Sequence, residues 1–284
     1  MLRKIAKWTA IAAGVLVGLL LLAAAVIHVA GGRVLAQRWD VPLTSIVIPD
    51  DSAAVEDGRR LAAIYGCTGC HSTDLSGGVL VDDPLLARIS SPNLTTALPR
   101  YSDDELVRVI RHGVWPDGKG APAMPSSMFY HLSDHDVGAI IAFLKSMPPV
   151  ESDLPTTSIR LMARLGLALG QYQIQADLID HEADRIPPTA NGGPNGRYLA
   201  YTACTECHGQ TLKGGDFNAA PALVIVGAYS LDQFTRLMRT GVPLDGRDLS
   251  LMAAVARSRF SHFSEQEIEA LHGYLQSAEF VAGG

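Results

Sequence analysis

All four cysteines of the chain lie in two short pentapeptides of the form C-x-x-C-H. The first, CTGCH, runs from Cys67 to His71, and the second, CTECH, runs from Cys204 to His208. With this spacing the two thiols can each form a thioether to one vinyl group of a haem, and the adjacent histidine can bind the iron from the same side. Because C-x-x-C-H is the attachment signature of c-type haem, we predict two covalently bound haem c groups.

The sequence around each pentapeptide is repeated as well. The first block, at residues 58–78, reads GRRLAAIYGCTGCHSTDLSGG and corresponds to GRYLAYTACTECHGQTLKGG at residues 196–215. Residues 101–118 correspond to residues 229–246 without a gap, and the first copy holds nine more residues between its two blocks. This pattern indicates a tandem duplication.

Each copy predicts the same three helices. The first leads into the haem motif, the second begins at a capping box and ends at a glycine, and the third begins at a serine cap. In the two copies, the residues that set these ends are Ser102 with Glu105 and Ser230 with Gln233, then Gly113 and Gly241, then Ser133 and Ser264.

A methionine occupies the same place in both copies. Met124 and Met252 each lie seven residues after an aspartate, Asp117 or Asp245. A thioether there can complete a six-coordinate, low-spin iron and raise its reduction potential. The alternative is that each methionine only fills the core, and Met128 is the rival ligand in the first copy.

A histidine near the first site competes for the same role. Imidazole is a good iron ligand, and His112 follows the second helix of the first copy. Its counterpart in the second copy is Thr240. Because the methionine already fills the ligand position, we expect His112 to cap a helix end near the haem.

The N-terminus predicts a single membrane-spanning helix within residues 1–33. Residues 9–30 carry no formal charge over 22 positions, which is long enough to cross a bilayer. Basic residues precede this run, so the positive-inside rule puts the N-terminus in the cytoplasm and the rest of the chain outside. The alternative is a signal peptide cleaved after an A-x-A site at residues 23–25. We favour the uncleaved anchor because the apolar run continues beyond that site.

The charge of the chain bears on its partners. Its formal net charge is −6, although the first 33 residues hold four basic and no acidic side chains. The remainder is therefore more acidic still, which argues against nucleic acid as a partner. The balance permits electrostatic steering towards a basic protein.

The order of helix, C-x-x-C-H, loop, capped helix, methionine loop and C-terminal helix resembles the class I cytochrome c domain, twice over. The resemblance covers roughly residues 50–149 and 190–281. SPNLT at 91–95 and HGVWPDG at 112–118 are also similar to the membrane-anchored multihaem cytochromes that serve periplasmic dehydrogenases, such as alcohol dehydrogenases, as electron-transfer subunits. Those subunits commonly have three haem domains, whereas this chain has two.

The resemblance implies a role for each site residue. Cys67 and Cys70, and likewise Cys204 and Cys207, would hold the haems. His71 and His208 would be the proximal iron ligands, and Met124 and Met252 the distal ones. In such domains the loop that carries Pro92 and Asn93 tends to pack near the haem propionates. Ala222 stands where the second copy would need the asparagine, so that role is not shared.

We therefore expect an all-α fold, with two tandem class I cytochrome c-like domains behind one N-terminal transmembrane helix. The domains are residues 1–33 as N-terminus and anchor, 50–149 as the first cytochrome domain, 150–190 as a linker, and 191–281 as the second cytochrome domain. An amphipathic helix is predicted within residues 155–178 of the linker. It could pack between the haem domains or lie at the membrane surface with Arg160 and Arg164 towards the head groups.

These features favour a membrane-tethered electron carrier on the periplasmic side of a bacterial inner membrane. It would relay electrons between a dehydrogenase or quinol-oxidising complex and an acceptor such as an oxidase or a soluble cytochrome. No other motif has catalytic geometry, so we expect no catalytic site of its own. The alternatives are a dihaem peroxidase, which two equivalent methionine loops oppose, and a haem-based sensor, for which no signalling domain is present.

Overall fold

The chain, in a computed structural model that describes residues 1–215 and 220–283, is mostly helical. The expected all-α fold, with two tandem units behind one long N-terminal helix, is confirmed; residues 216–219 of the second unit lie outside the described residues. The helices are α1 (Leu2–Leu35), α2 (Ser52–Ile64), α3 (Cys67–Cys70), α4 (Leu94–Ala97), α5 (Asp103–His112), α6 (Ser126–Phe129), α7 (Asp134–Ser146), α8 (Leu161–Ala168), α9 (Gly196–Ala203), α10 (Thr205–His208), α11 (Leu231–Thr240), α12 (Leu251–Ser258), α13 (Glu265–Leu275) and α14 (Ala278–Gly283). Short 3-10 helices cover Leu98–Arg100, Gln175–Leu178, Leu223–Ala228 and Phe260–His262.

In each copy the first and last helices cross in direct backbone contact. A Cβ atom placed on Gly58 of α2 would lie 1.9 Å from the carbonyl oxygen of Ala139 in α7. A Cβ on Gly196 of α9 would lie 2.0 Å from the carbonyl oxygen of Ala270 in α13. Both crossings therefore need glycine, and the two copies share one packing geometry.

Alanine at either crossing is expected to destabilise the fold. Gly58→Ala or Gly196→Ala forces the helices apart, which should cost about 3 kcal/mol of unfolding free energy. Denaturant titration followed by circular dichroism measures the loss. Gly273→Ala in α13 is the matched control, because a Cβ there meets no atom of the described residues within 4 Å. Equal stability of Gly58→Ala and the wild type would contradict the close crossing.

The predicted helix ends are present. α5 and α11 each begin at a reciprocal capping box and end at a glycine in the left-handed region, Gly113 with φ 63° and Gly241 with φ 76°. α7 and α13 begin at serine caps. The capping residues are Ser102 with Glu105, Ser230 with Gln233, Ser133, and Ser264 with Glu267.

The stretch in which the first copy is longer forms a β-hairpin that the sequence had not predicted. Strand β1 (Gly78–Asp82) pairs antiparallel with β2 (Ala87–Ser91). A short strand from the linker, β3 (Ser158–Ile159), pairs with the free edge of β2. A second small ribbon joins β4 (Thr189–Ala190) and β5 (Gly193–Pro194). The hairpin therefore fastens the linker to the first copy.

The helix of the linker is shorter than predicted and packs against α1. α8 covers only Leu161–Ala168 instead of most of residues 155–178, and Gly170 follows it with φ +70°, a conformation that ends helices. A Cβ on Gly31 of α1 would lie 2.6 Å from Cβ of Arg164. The Arg164 guanidinium also donates to the carbonyl oxygen of His28 at 3.3 Å.

The two copies share one hydrophobic core. The buried cluster runs from Leu61 and Ile64 of the first copy to Leu271 and Leu275 of the second. Polar contacts reinforce it: the Arg60 guanidinium lies 3.0 Å from the Glu267 carboxylate. The continuous core fixes the position of one haem motif relative to the other.

Candidate haem sites

A cavity of about 460 Å³ lies beside the first pentapeptide. Cys67, Cys70 and His71 line it, and so does Met124 from the loop before α6. Most of its other walls are apolar, among them Leu98, Ile140, Ile141 and Leu144. Its volume falls in the range of roughly 300–1,000 Å³ that is typical of cofactor sites. The fold thus gathers two thiols, an imidazole and a thioether around one largely apolar space.

Each motif histidine is held by a proline carbonyl. Nδ1 of His71 lies 2.9 Å from the Pro92 oxygen, and Nδ1 of His208 lies 2.7 Å from the Pro221 oxygen. Because Nδ1 donates in this tautomer, Nε2 is left with its lone pair as a metal ligand. Burial lowers the pKa of both imidazoles, and the carbonyl bond opposes that shift. Both rings are therefore kept neutral, as iron binding requires.

The orienting role of the prolines was not anticipated. That the loop with Pro92 and Asn93 packs near the haem propionates stays a prediction. The Asn93 side chain donates to the Val150 carbonyl at 2.7 Å and to Ser152 at 2.9 Å, so it ties the loop to the linker. The sequence did carry one signal of this orienting role. A proline recurs after each motif, 21 residues after His71 and 13 residues after His208.

Cysteine side chains of both motifs lie in surroundings that disfavour the thiolate. Burial raises the pKa of Cys67 to about 11 and that of Cys204 to about 12. Buried, protonated thiols are poor nucleophiles and poor partners for disulfide exchange. In the first copy, one helical turn, α3, separates Cys67 from Cys70 and places both side chains on the same face. This arrangement suits a covalently held haem better than a redox-active dithiol.

The methionines are placed differently from one another. Met124 lines the first cavity, whereas Met128 is fully buried in α6 within the hydrophobic core. Met252 lies in the first turn of α12 and packs against the core. Met238 is buried in α11. In the first copy, the geometry favours Met124 over its rival as the iron ligand.

One arginine, which the sequence did not single out, joins the two haem motifs. The Arg259 Nε atom donates to the Ile64 carbonyl at 2.9 Å, and its Nη1 atom donates to the Glu206 carboxylate at 2.8 Å. Glu206 lies between the two cysteines of the second motif, yet it and Arg259 both line the first cavity. Among the described residues, Nη2 of Arg259 is buried with no hydrogen-bond partner.

The charge of Arg259 acts on both motifs. Burial raises the pKa of the thiols of Cys67, Cys70 and Cys204, and the positive charge of Arg259 opposes that rise at all three. A Cβ on Gly66, the residue before Cys67, would lie 3.0 Å from the guanidinium carbon. The two attachment segments therefore face each other across the partly buried guanidinium of Arg259.

His112 pairs with a histidine of the linker. Its Nδ1 atom lies 2.9 Å from Nδ1 of His181, beside a cavity of about 150 Å³ that Arg108 and Arg111 also line. Burial lowers the pKa of His112 to about 4, and the charges of His181 and the nearby arginines add to that shift. His112 is the last residue of α5, at a helix end as expected, but its side chain contacts His181 of the linker.

Replacing His112 with asparagine is expected to make the protein less sensitive to acid. Because folding lowers the pKa of His112 from about 6.5 to about 4, the unfolded chain takes up this proton first as the pH falls. The native state therefore loses stability through this group between about pH 6.5 and pH 4. Denaturant unfolding across that window should show a shallower decline in the variant than in the wild type. His135→Asn, at an exposed position, is the control, and equal slopes for His112→Asn and wild type would contradict this account.

Comparison with known proteins agrees with this arrangement. Residues 55–148 match the cytochrome c family. The chain therefore contains a cytochrome c domain, and such a domain implies covalently bound haem c. The residues around the first cavity fit that group, because the two cysteines and His71, whose Nε2 atom keeps its lone pair, line one space.

The chain is homologous to cytochrome subunits of membrane-associated dehydrogenases and to a dihaem cytochrome c. It is 26% identical over 284 residues to the fructose dehydrogenase cytochrome subunit of Gluconobacter japonicus, with 89% of this chain and 57% of that subunit covered. It is 28% identical over 264 residues to the gluconate 2-dehydrogenase cytochrome c subunit of Pantoea cypripedii, and the match covers 85% of this chain and 56% of that subunit. A dihaem c-type cytochrome of Cereibacter sphaeroides is 26% identical over 168 residues, and the match covers 53% of this chain and 55% of that protein. The chain thus spans little more than half the length of these curated relatives.

Proposed function

We propose that this protein is a dihaem c-type cytochrome that passes electrons between protein partners at the outer face of a bacterial inner membrane. The cavity that gathers the two thiols, the imidazole and the thioether carries the proposal. The haem domains would be residues 50–149 and 191–281. The proposed haem-holding residues are Cys67, Cys70, His71 and Met124 in the first domain, and Cys204, Cys207, His208 and Met252 in the second.

Bound haem supplies reversible one-electron chemistry. The chain holds it through the cysteines and orients the histidine rings through the carbonyls of Pro92 and Pro221. Apolar walls exclude water from the first cavity, which limits the reorganisation that accompanies a change of charge. A thioether offered to the iron by Met124 or Met252 would favour the reduced state and so raise the potential.

The contact between the haem motifs supports transfer from one site to the other. Arg259 bonds to a residue just before the first motif and to Glu206 inside the second. The shared core keeps the two segments in this relation. This fixed relation supports the proposed transfer of an electron between the two sites without a change in the fold.

The N-terminal helix supports attachment to the membrane. Among the described residues, α1 is the one helix long and apolar enough to cross a bilayer, a character that signal sequences share. We propose that it stays attached, with the basic N-terminus in the cytoplasm.

The relatives support a dehydrogenase as the electron donor. Several of them are cytochrome subunits of fructose, gluconate and alcohol dehydrogenases. A quinol-oxidising complex is the second candidate, and an oxidase or a soluble cytochrome is the proposed acceptor. The peroxidase alternative has no support among these relatives.

Haem stoichiometry tests the proposal. The purified full chain should hold two haems, both low-spin in the electron paramagnetic resonance spectrum. Cys67→Ala with Cys70→Ala should leave one covalent haem, and so should Cys204→Ala with Cys207→Ala. A single haem in the wild type would contradict the proposal. A high-spin iron that binds peroxide would revive the peroxidase.

A further inference from the structure

Exposed apolar side chains gather beside the outer end of α1. The hairpin turn presents Leu85, which is 67% exposed, and Leu86, which is 41% exposed. α8 and the residue after it add Leu161, Met162 and Leu169, which are 39%, 46% and 63% exposed. These five residues are called here the hairpin–α8 patch. Apolar clusters of this kind on a protein surface mark interaction sites.

Backbone hydrogen bonds join the hairpin part of the hairpin–α8 patch to the start of α8. The amide of Met162 donates to the Leu85 carbonyl at 3.3 Å, and the amide of Arg160 donates to the Leu86 carbonyl at 2.9 Å. The turn of the hairpin and the start of α8 are therefore locked side by side. This turn belongs to the stretch in which the first copy is longer than the second.

The patch lies at the end of the apolar run of α1. The uncharged residues 9–30 would span about 33 Å as a helix, close to the roughly 30 Å of a bilayer's hydrocarbon core. α8 contacts α1 at Gly31, and Arg164 bonds to the carbonyl oxygen of His28. α8 is thus held at the depth where the hydrocarbon of a bilayer around α1 would end.

The charges around the patch suit the same location. The Arg160 guanidinium lies 3.1 Å from the Asp82 carboxylate and also donates to the Asp83 carbonyl. Arg88 lies 3.1 Å from the same carboxylate. Asp83 is a second acid beside Asp82, so the two carboxylates and the two arginines leave this border without a net charge. Apolar side chains bordered by arginine are typical of surfaces that lie in the membrane interface.

We infer that the hairpin–α8 patch docks onto the outer leaflet of the bilayer that α1 crosses. This inference rests on the proposed membrane anchoring by α1. Leu80 of the same hairpin lines the first cavity, so docking holds the first haem site close to the membrane surface. We assign lipid as the partner of the patch because α8 packs directly against α1, the helix that would cross the bilayer.

Lipid photo-crosslinking tests the inference on the full chain. The protein is reconstituted into vesicles of phosphatidylcholine that contain a diazirine-bearing phosphatidylcholine, and lipid adducts are mapped by mass spectrometry. We expect adducts on α1, on the hairpin turn and on the start of α8. Val224 and Ile225, which are 52% and 46% exposed in the second copy, are the matched control and should carry several-fold fewer adducts.

A charged variant sharpens the result. Leu161→Glu with Met162→Glu changes two exposed positions and should abolish adducts on α8 while those on α1 persist. Val224→Glu should change nothing. Adducts on α1 alone in the wild type would overturn the docking and leave the anchor intact, and so would protection of the patch only when a partner protein is added. An absence of lipid adducts on α1 in the wild-type protein would overturn the proposed anchoring. Equal labelling of Val224 and the patch would also overturn the inference.

Discussion

Met124→Ala is expected to remove the near-infrared sulfur-to-iron absorption from one of two haems while that haem stays covalently attached. Met124 lines the cavity that also holds Cys67, Cys70 and His71. Without the thioether, water or another weak ligand would occupy the iron's second axial position, and the potential of that haem should fall. We expect a fall on the order of 0.1 V, a small part of the roughly 0.8 V that axial ligands control. Optical spectroscopy and a spectroelectrochemical titration measure both changes.

Met128→Ala is the matched control. This side chain is fully buried in the core, so its truncation should cost about 2–5 kcal/mol of unfolding free energy. It should leave the sulfur-to-iron absorption unchanged. If Met128→Ala rather than Met124→Ala removed the absorption, the assignment of the ligand would be reversed. Met252→Ala should remove the absorption of the other haem.

Arg259→Gln is expected to lower the potentials of both haems and to weaken the fold. The substitution removes a partly buried positive charge that acts on both attachment motifs, and a positive charge favours the reduced iron. It also leaves the Ile64 carbonyl and the Glu206 carboxylate without their donor. Losses of this kind cost about 1–3 kcal/mol for each unpaired group. A redox titration and a denaturant titration of the same sample give both quantities.

Arg259→Lys separates the two effects. Lysine keeps the charge but lacks the forked geometry that reaches both acceptors. It should therefore restore most of the potential and little of the stability. If Arg259→Gln shifted the reduction potential of one haem only, Arg259 would act on a single site. Unchanged potentials with lowered stability would reduce its role to packing.

The elements that the sequence predicted are those set by local chemistry. Capping boxes at Ser102 and Ser230, and the glycines that end α5 and α11, depend on residues three or four positions apart. The haem motifs are likewise local. The repeat then extended each local inference to the second copy.

The features that escaped prediction depend on distant residues. Arg259 and Glu206 are 53 positions apart, and His112 and His181 are 69 apart, so no spacing rule relates them. The length of α8 depends on tertiary packing as well as periodicity, because Gly166 packs against Tyr172 where the chain turns back. The hairpin formed from a stretch without a counterpart in the other copy, where the repeat offered no guide.

The joint between α1 and the rest of the protein has a consequence for how partners are met. Residues after α1 are tied down at once: Trp39 donates its amide to the Gly118 carbonyl at 2.9 Å, and Val41 is buried. A cytochrome domain on a flexible linker could reorient freely above the membrane to reach a partner. If α1 is retained, the motions left to this protein are rotation about the membrane normal and lateral diffusion. Every encounter must therefore occur at one height above the lipid, and a partner whose docking face lies higher would be out of reach.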